Sequence, residues 1–128
     1  MTFTVELSED KRYIKVVVNG AIDRRTGAEM VSHMHTLGRE IGIDKFLLDL
    51  TESLNKDSVF DQYQFAYVDA PAADGFNRFA KVAVLIDPND HSHDFIETTM
   101  RNNGFNIRLF HTQELAMAFL ELGEQQAG

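Results

Sequence analysis

The sequence contains no cysteine, no tryptophan and only two prolines. Without cysteine, the chain has no disulfide, no thiolate nucleophile and no zinc–thiolate site. It also lacks any stretch near the ~20 apolar residues that a membrane-spanning helix needs. Its first residues, MTFTVELSED, have neither the basic region nor the apolar run of a secretory signal. We therefore expect a cytoplasmic protein with no membrane span.

Positive charge is scarce. The chain has 12 basic and 20 acidic residues and a formal net charge of −8. Its two short basic clusters, Lys11-Arg12 and Arg24-Arg25, both lie beside acidic residues. Because a negative protein repels phosphate backbones and anionic lipid, nucleic acid is excluded as an expected partner.

The chain has the length and the apolar content of one domain: 128 residues, of which 44% are hydrophobic. Alternating or β-branched segments predict five strands, at residues 3–7, 13–20, 45–50, 81–87 and 105–110. Amphipathic segments with capping residues predict four helices, at residues 26–41, 58–70, 90 or 92–101, and 112–122. The order predicts a single α/β domain whose five-stranded mixed sheet opens with an antiparallel hairpin and is otherwise mostly parallel. Residues 123–128 are expected to form a frayed tail.

The closing run RFAKVAVLID…FIETTMRNNGFNIRLFHTQELAMAFL carries a family resemblance. Together with the order of elements over residues 3–122, it resembles the SpoIIAA-like, or STAS, family of anti-sigma-factor antagonists and their relatives. In that group a strand, a helix, a glycine and a strand ending in Phe precede a helix with an alanine-rich apolar face. The resemblance implies a SpoIIAA-like fold and a non-enzymatic regulatory or protein-binding role.

Ser58, in the segment FLLDLTESLNKDSVF, has two open interpretations. In phosphorylated antagonists a strand-ending Asp is followed eight residues later by Asp-Ser, and Asp49, Asp57 and Ser58 match those positions. The resemblance therefore implies a phosphorylated Ser58 beside Asp57 on a partner-binding surface. Val59 and Phe60 stand where the family has a small residue and glycine. The alternative is that Asp57 or Ser58 caps the helix, a common role for both residue types.

Three polar residues are predicted at one edge of the sheet: Asp49, Asp87 and His111. Open α/β proteins bind ligands where the carboxyl ends of parallel strands meet, and two carboxylates there could hold Mg²⁺. A metal-dependent enzyme is therefore one alternative function. Asp is also an ordinary turn residue after a strand, and no phosphate-binding glycine loop or nucleophile elbow is present. We accordingly expect no catalytic residue, no metal and no cofactor.

Two histidine pairs are candidates for a metal site. His33 and His35 lie about 200° apart around a helix, so they cannot share one ion. His91 and His93 fall at the start of the third helix, where they could converge on zinc together with Asp94, but we expect solvated capping residues and no metal.

The second helix is apolar on two sides. Phe65 and Val68 lie opposite the stripe that contains Phe60, Tyr63 and Tyr67. One side is expected to pack on the sheet. The other side could meet a protein partner, a second copy of the chain, a lipid-like ligand, or the loop PAADGFNRF folded over it.

Our leading hypothesis is a non-enzymatic regulatory module that acts through a surface around the second helix and its preceding loop, which Phe76 and Phe79 of the following loop could complete. Its expected residues are Asp57, Ser58, Phe65, Val68, Phe76 and Phe79. A homodimer through the same helix is a further possibility. The alternative is a carrier of a small apolar ligand, with a pocket between the second helix, the loop of Phe76 and Phe79, and the sheet.

Overall fold

The computed structural model describes residues 2–73 and 75–122, except for the side chains of Val59, Phe60 and Tyr63. The tail expected at residues 123–128 lies outside the described residues. The same is true of the side chains of Phe60 and Tyr63 in the apolar stripe of the second helix. All five predicted strands and all four predicted helices have counterparts within the described residues.

One mixed sheet organises the described chain. Its strands are β1 (Thr2–Leu7), β2 (Ile14–Asn19), β3 (Lys45–Glu52), β4 (Lys81–Leu85) and β5 (Asn106–Phe110). They lie in the order β1-β2-β3-β4-β5, with β1 antiparallel to β2 and all other neighbours parallel. The predicted α/β fold with its opening hairpin is therefore confirmed.

Each of the parallel strands is followed by a helix. The α-helices in the described residues are α1 (Arg24–Ile41), α2 (Val59–Gln64), α3 (Asp94–Asn102) and α4 (Gln113–Phe119). A π-helical segment, Phe65–Asp69, continues α2 directly, so the second predicted helix is α-helical only in its first half. Among the helices described, none combines the length and the apolar character needed to cross a membrane.

The first helix begins before residue 26, where the sequence predicted its start. Asp23 is the N-cap, and its Oδ1 accepts both the amide and the hydroxyl of Thr26 at 2.8 Å. The prediction that Thr26 begins the helix was wrong because Asp23 binds the free amide of the first turn, which makes Thr26 an internal residue.

The strand order decides on which face each helix packs. Because β2 to β5 are consecutive in the chain and adjacent in the sheet, right-handed crossovers put α1, α2 and α3 on one face. The larger core lies there, and its buried strand residues are Ile14, Val16, Val18, Phe46, Leu48, Leu50, Val84 and Ile107. The last helix, α4, packs on β4 and β5 from the opposite face, around Leu47, Ala83, Ala116 and Leu120.

Gly38 allows α1 to approach β3 closely. A Cβ atom built at this buried position would lie 2.6 Å from the carbonyl oxygen of Ile43 and 2.9 Å from Cζ of Phe46. The Gly38 carbonyl also accepts the amide of Ile43 at 2.9 Å. The end of the helix is therefore fixed against the backbone that enters β3.

We expect Gly38→Ala to lower the free energy of unfolding by about 1–3 kcal/mol, because the added methyl group collides with backbone. This reverses the usual gain of ~1 kcal/mol from replacing a helical glycine with alanine. Urea denaturation measures the change. Ser32→Ala, in the same helix, is the control and should stay within about 0.5 kcal/mol of the wild type. A Gly38→Ala variant as stable as the wild type would contradict the close approach.

Candidate functional site

Ser58 is the N-cap of α2. Its Oγ accepts the amide of Asp61 at 3.1 Å, and its backbone is extended, with φ −64° and ψ 162°. The side chain is exposed. The helix-cap interpretation is confirmed, while phosphorylation of Ser58 stays a prediction.

Asp57, next to this cap, is half-buried. Its burial, together with the nearby carboxylates of Asp61 and Asp23, raises the pKa of Asp57. The Asp57 amide donates to Oδ1 of Asn55 at 3.1 Å, and its carbonyl accepts Nε2 of Gln62 at 3.0 Å. The main chain of Asp57 is thus bound into the domain, whereas the hydroxyl of Ser58 faces outward.

Arg24 joins the start of α1 to the second helical region. Its Nε donates to Oδ2 of Asp69 at 2.5 Å and its Nη2 to Oδ1 at 3.2 Å, which makes a bidentate pair. A second carboxylate, that of Asp61, lies 3.9 Å from Nη1. The charge of Arg24 is therefore matched by carboxylates of its own domain.

The predicted apolar surface divides into two parts. Phe65 and Phe76 are half-buried and pack against the larger core. Val68 and Phe79 are exposed, with 50% and 86% of the residue surface accessible. The loop that carries Phe76 packs on α1, whereas the open alternative had placed it over the second helix. Of the four predicted apolar residues, Val68 and Phe79 are thus available to a contact surface, which stays a prediction.

His35 holds that loop on α1. It is only 5% exposed, and its ring lies between Phe46 and Phe76, with centroids 5.1 and 4.8 Å away. Its Nδ1 accepts the amide of Asn77 at 3.1 Å. Burial, with a smaller contribution from the charge of Arg39, lowers the pKa of His35 to about 4. The imidazole is therefore neutral at pH 7.

His93 is buried, contrary to the expectation of a solvated residue. It is 1% exposed, and its Nε2 lies 3.1 Å from the Ser53 carbonyl and 3.4 Å from Oδ2 of Asp90. The prediction was wrong because α3 begins only at Asp94. The preceding residues form a turn, in which Oδ1 of Asp90 accepts the amide of Ser92 at 2.8 Å.

Two of the three polar residues predicted at the sheet edge, Asp49 and Asp87, accept hydrogen bonds from residues two positions further along the chain. Asp49 lies inside β3, where its Oδ1 accepts the amide and hydroxyl of Thr51 at 3.0 and 2.7 Å. Asp87 is exposed and accepts the amide of Asn89 at 2.9 Å, and His111 is exposed. Within residues 2–73 and 75–122, no three His, Asp or Glu side chains converge to hold a metal.

A cavity of about 100 Å³ lies between the sheet and its covering helices. The side chains around it are mainly apolar. They come from α1, β4, the π segment, the loop and α3, and include Met30, Met34, Val84, Phe65, Phe76 and Met100. This is the position predicted for a pocket between the second helix, the Phe76 loop and the sheet.

One end of the cavity is polar. Its wall there contains Asp23, Arg24, Asn55, Asp57, Gln62 and His93. These residues belong to the segments that follow β2, β3 and β4, and to α2. The polar end therefore lies at the carboxyl edge of the parallel strands, where open α/β proteins bind their ligands.

The sequence did not indicate that Asn55, Gln62 and His93 line a cavity. For Gln62 a signal was present, because Gln62, Ala66 and Ala70 recur every fourth residue, and the two alanines are fully buried. For Asn55 and His93 no periodicity exists, since both lie in irregular segments after strands.

Comparison with known proteins does not assign the chain to a family. No family model matches the chain, and no curated protein matches it. The resemblance to the SpoIIAA-like family therefore stays a prediction, whereas the five-stranded mixed α/β fold stands on the structure itself.

We expect the buried His35 to make stability depend on pH. Below pH 6.5 the unfolded chain takes up a proton on His35, but the folded protein stays neutral there until about pH 4. Protonation therefore stabilises the unfolded state relative to the folded state as the pH falls. The free energy of unfolding decreases by up to about 3 kcal/mol between pH 6.5 and 4. Chemical denaturation at several pH values measures this loss.

His35→Gln should remove that part of the pH dependence, because glutamine still offers an acceptor to the Asn77 amide but does not titrate. His33→Gln is the matched control on the exposed side of α1 and should keep the wild-type slope. Equal slopes in the wild type and His35→Gln would contradict the assignment of a neutral, buried His35.

Proposed function

We propose that this protein is a non-enzymatic binding module that holds a small apolar ligand between its sheet and its covering helices. The observation that carries the proposal is the cavity of about 100 Å³ in the larger core. The SpoIIAA-like assignment is part of the proposal, and the order of elements and the mixed sheet support it.

The size of the cavity favours a ligand over an empty core. Protein interiors are normally packed like organic crystals, with few voids larger than a water molecule. Side chains that line an unfilled space of about 100 Å³ have no packing partner on one side and lose those dispersion contacts. An apolar molecule that fills it recovers packing contacts without disturbing the fold.

The chemistry of the wall indicates the class of ligand. Apolar cavities of about 150 Å³ stay dry and bind benzene or xenon. The present cavity is smaller, and the thioethers of Met30, Met34 and Met100 can adapt to the shape of a guest. The ligand is therefore of the size of a single aromatic ring or a short branched alkyl group.

We expect fluorobenzene to bind the wild-type protein saturably, as followed by the ¹⁹F NMR signal of the ligand. Val84→Phe should abolish binding, because Val84 lines the cavity and a phenyl group would occupy it. Val17→Phe makes the same change on the opposite face of the sheet, away from the cavity wall, and should leave binding intact. Circular dichroism checks the fold of both variants. A wild-type protein that does not bind fluorobenzene would contradict the proposal.

A second candidate function is regulation through a protein partner. The observation that favours it is the exposed hydroxyl of Ser58 at the start of α2, with Val68 exposed further along the same helical region. A phosphate on Ser58 would lie at a helix N-terminus, where free amides stabilise negative charge. It would also add up to two negative charges beside Asp57 and Asp61.

We expect protein isolated from its native cells to carry one phosphoryl group if this second function operates. Intact mass spectrometry under denaturing conditions detects the added mass, and peptide mapping should place it on Ser58. Ser58→Ala is the control and should lack the modification. Native mass spectrometry of the same samples reports whether the chain forms a dimer. Protein that is unmodified under every growth condition would count against regulation by phosphorylation of Ser58.

A further inference from the structure

Gln62 contributes a buried polar atom that the domain leaves unpaired. The side chain is 7% exposed and lines the cavity. Its Nε2 donates to the carbonyl of Asp57 at 3.0 Å. Its Oε1 is buried and has no hydrogen-bond partner among the described residues. Leaving a buried acceptor unsatisfied costs about 1–3 kcal/mol, so this oxygen marks a place where a partner is missing.

The orientation of the amide is fixed by its neighbour. The Asp57 carbonyl can only accept a hydrogen bond, so the atom that faces it must be the NH₂ group of Gln62. An exchange of the two amide atoms would set two acceptors against each other. The unpaired atom is therefore the oxygen, and its missing partner is a hydrogen-bond donor.

The surroundings of Gln62 limit the class of donor. Asp57 and Asp23 share the polar end of the cavity, and the guanidinium of Arg24 is engaged by Asp69. A ligand carboxylate at this end would meet these acidic groups, because the other arginine of the wall, Arg78, lies beside Phe105 at the opposite edge of the sheet, where it donates to the Asn103 carbonyl. A neutral hydroxyl or N–H group satisfies Oε1 without adding a negative charge.

We infer that the cavity takes a small apolar molecule with one hydroxyl or N–H group, which donates a hydrogen bond to Oε1 of Gln62. This inference rests on the proposed ligand-binding function and deepens it. The apolar body occupies the space near Met34, Val84 and Met100, and the donor points to the carboxyl edge of the sheet. The simplest molecules of this class are phenols and short branched alcohols.

The other buried oxygen without a hydrogen bond does not compete for this role. Oδ2 of Asp90 lies 3.4 Å from Nε2 of His93, close enough for an ion pair when the imidazole is charged. Asp90 is also not part of the cavity wall. Gln62 is thus the acceptor that a guest in the cavity would meet.

The test compares phenol with fluorobenzene, which have nearly the same shape and differ in the donor. Dissociation constants for both are measured on the wild type, Gln62→Met and the control Gln64→Met, which changes the same residue type on the same helix. Phenol is followed by its displacement of fluorobenzene in ¹⁹F NMR and, independently, by calorimetry. The readout is the preference for phenol, the ratio of the two constants, which a general loss of stability does not change.

We expect Gln62→Met to reduce the preference for phenol about tenfold, the loss of one hydrogen bond in a buried site, and Gln64→Met to leave it unchanged. Phenol binding that is lost in Gln62→Met alone supports the inference equally. A preference that is the same in all three proteins overturns the inference. The partner of Oε1 is then a bound water, and the proposed function is unaffected. Binding of neither compound to the wild type removes both.

Discussion

The cavity depends on the sequential order of the strands. With β2 to β5 adjacent in chain and sheet, every crossover helix must cover the same face. That layer is uneven: α1 has 18 residues and α3 has nine, but α2 has six before the π segment begins. A π-helical turn is wider than an α-helical one, so this middle part covers the sheet less closely. Phe65 and Gln62 accordingly border a space that they do not fill.

The two ends of this space are closed by different interactions. At the amino edge of the sheet, the neutral ring of His35 packs with Phe76, which in turn packs on Phe105 with centroids 5.1 Å apart. This end is mainly aromatic. At the carboxyl edge, the Arg24–Asp69 pair and the Gln62–Asp57 hydrogen bond join α1, α2 and the π segment. The unpaired oxygen of Gln62 thus lies at one edge of a mainly apolar wall, which gives the cavity a direction.

The fold was predictable because it rests on local patterns, and much of the site was not. Alternation gave the strands, and the capping preference of serine predicted the role of Ser58. The sequence singled out Phe65, Val68, Phe76 and Phe79 as apolar candidates, but it did not show which of them are buried. Phe76 is half-buried because its loop packs on His35, whose Nδ1 accepts an amide of the loop. The unpaired oxygen of Gln62 is beyond any sequence pattern, because it depends on what the neighbouring atoms leave unsatisfied.

The two features that weaken the empty protein are also those that would bind a guest. The wall of the unfilled space loses packing contacts, and an unsatisfied buried acceptor costs about 1–3 kcal/mol. The second cost alone is a considerable part of the 5–15 kcal/mol that holds a typical domain folded. A molecule that fills the space and donates to Oε1 of Gln62 removes both costs at once. If such a guest binds only the folded state, its affinity and the stability of the domain are coupled through the same few atoms.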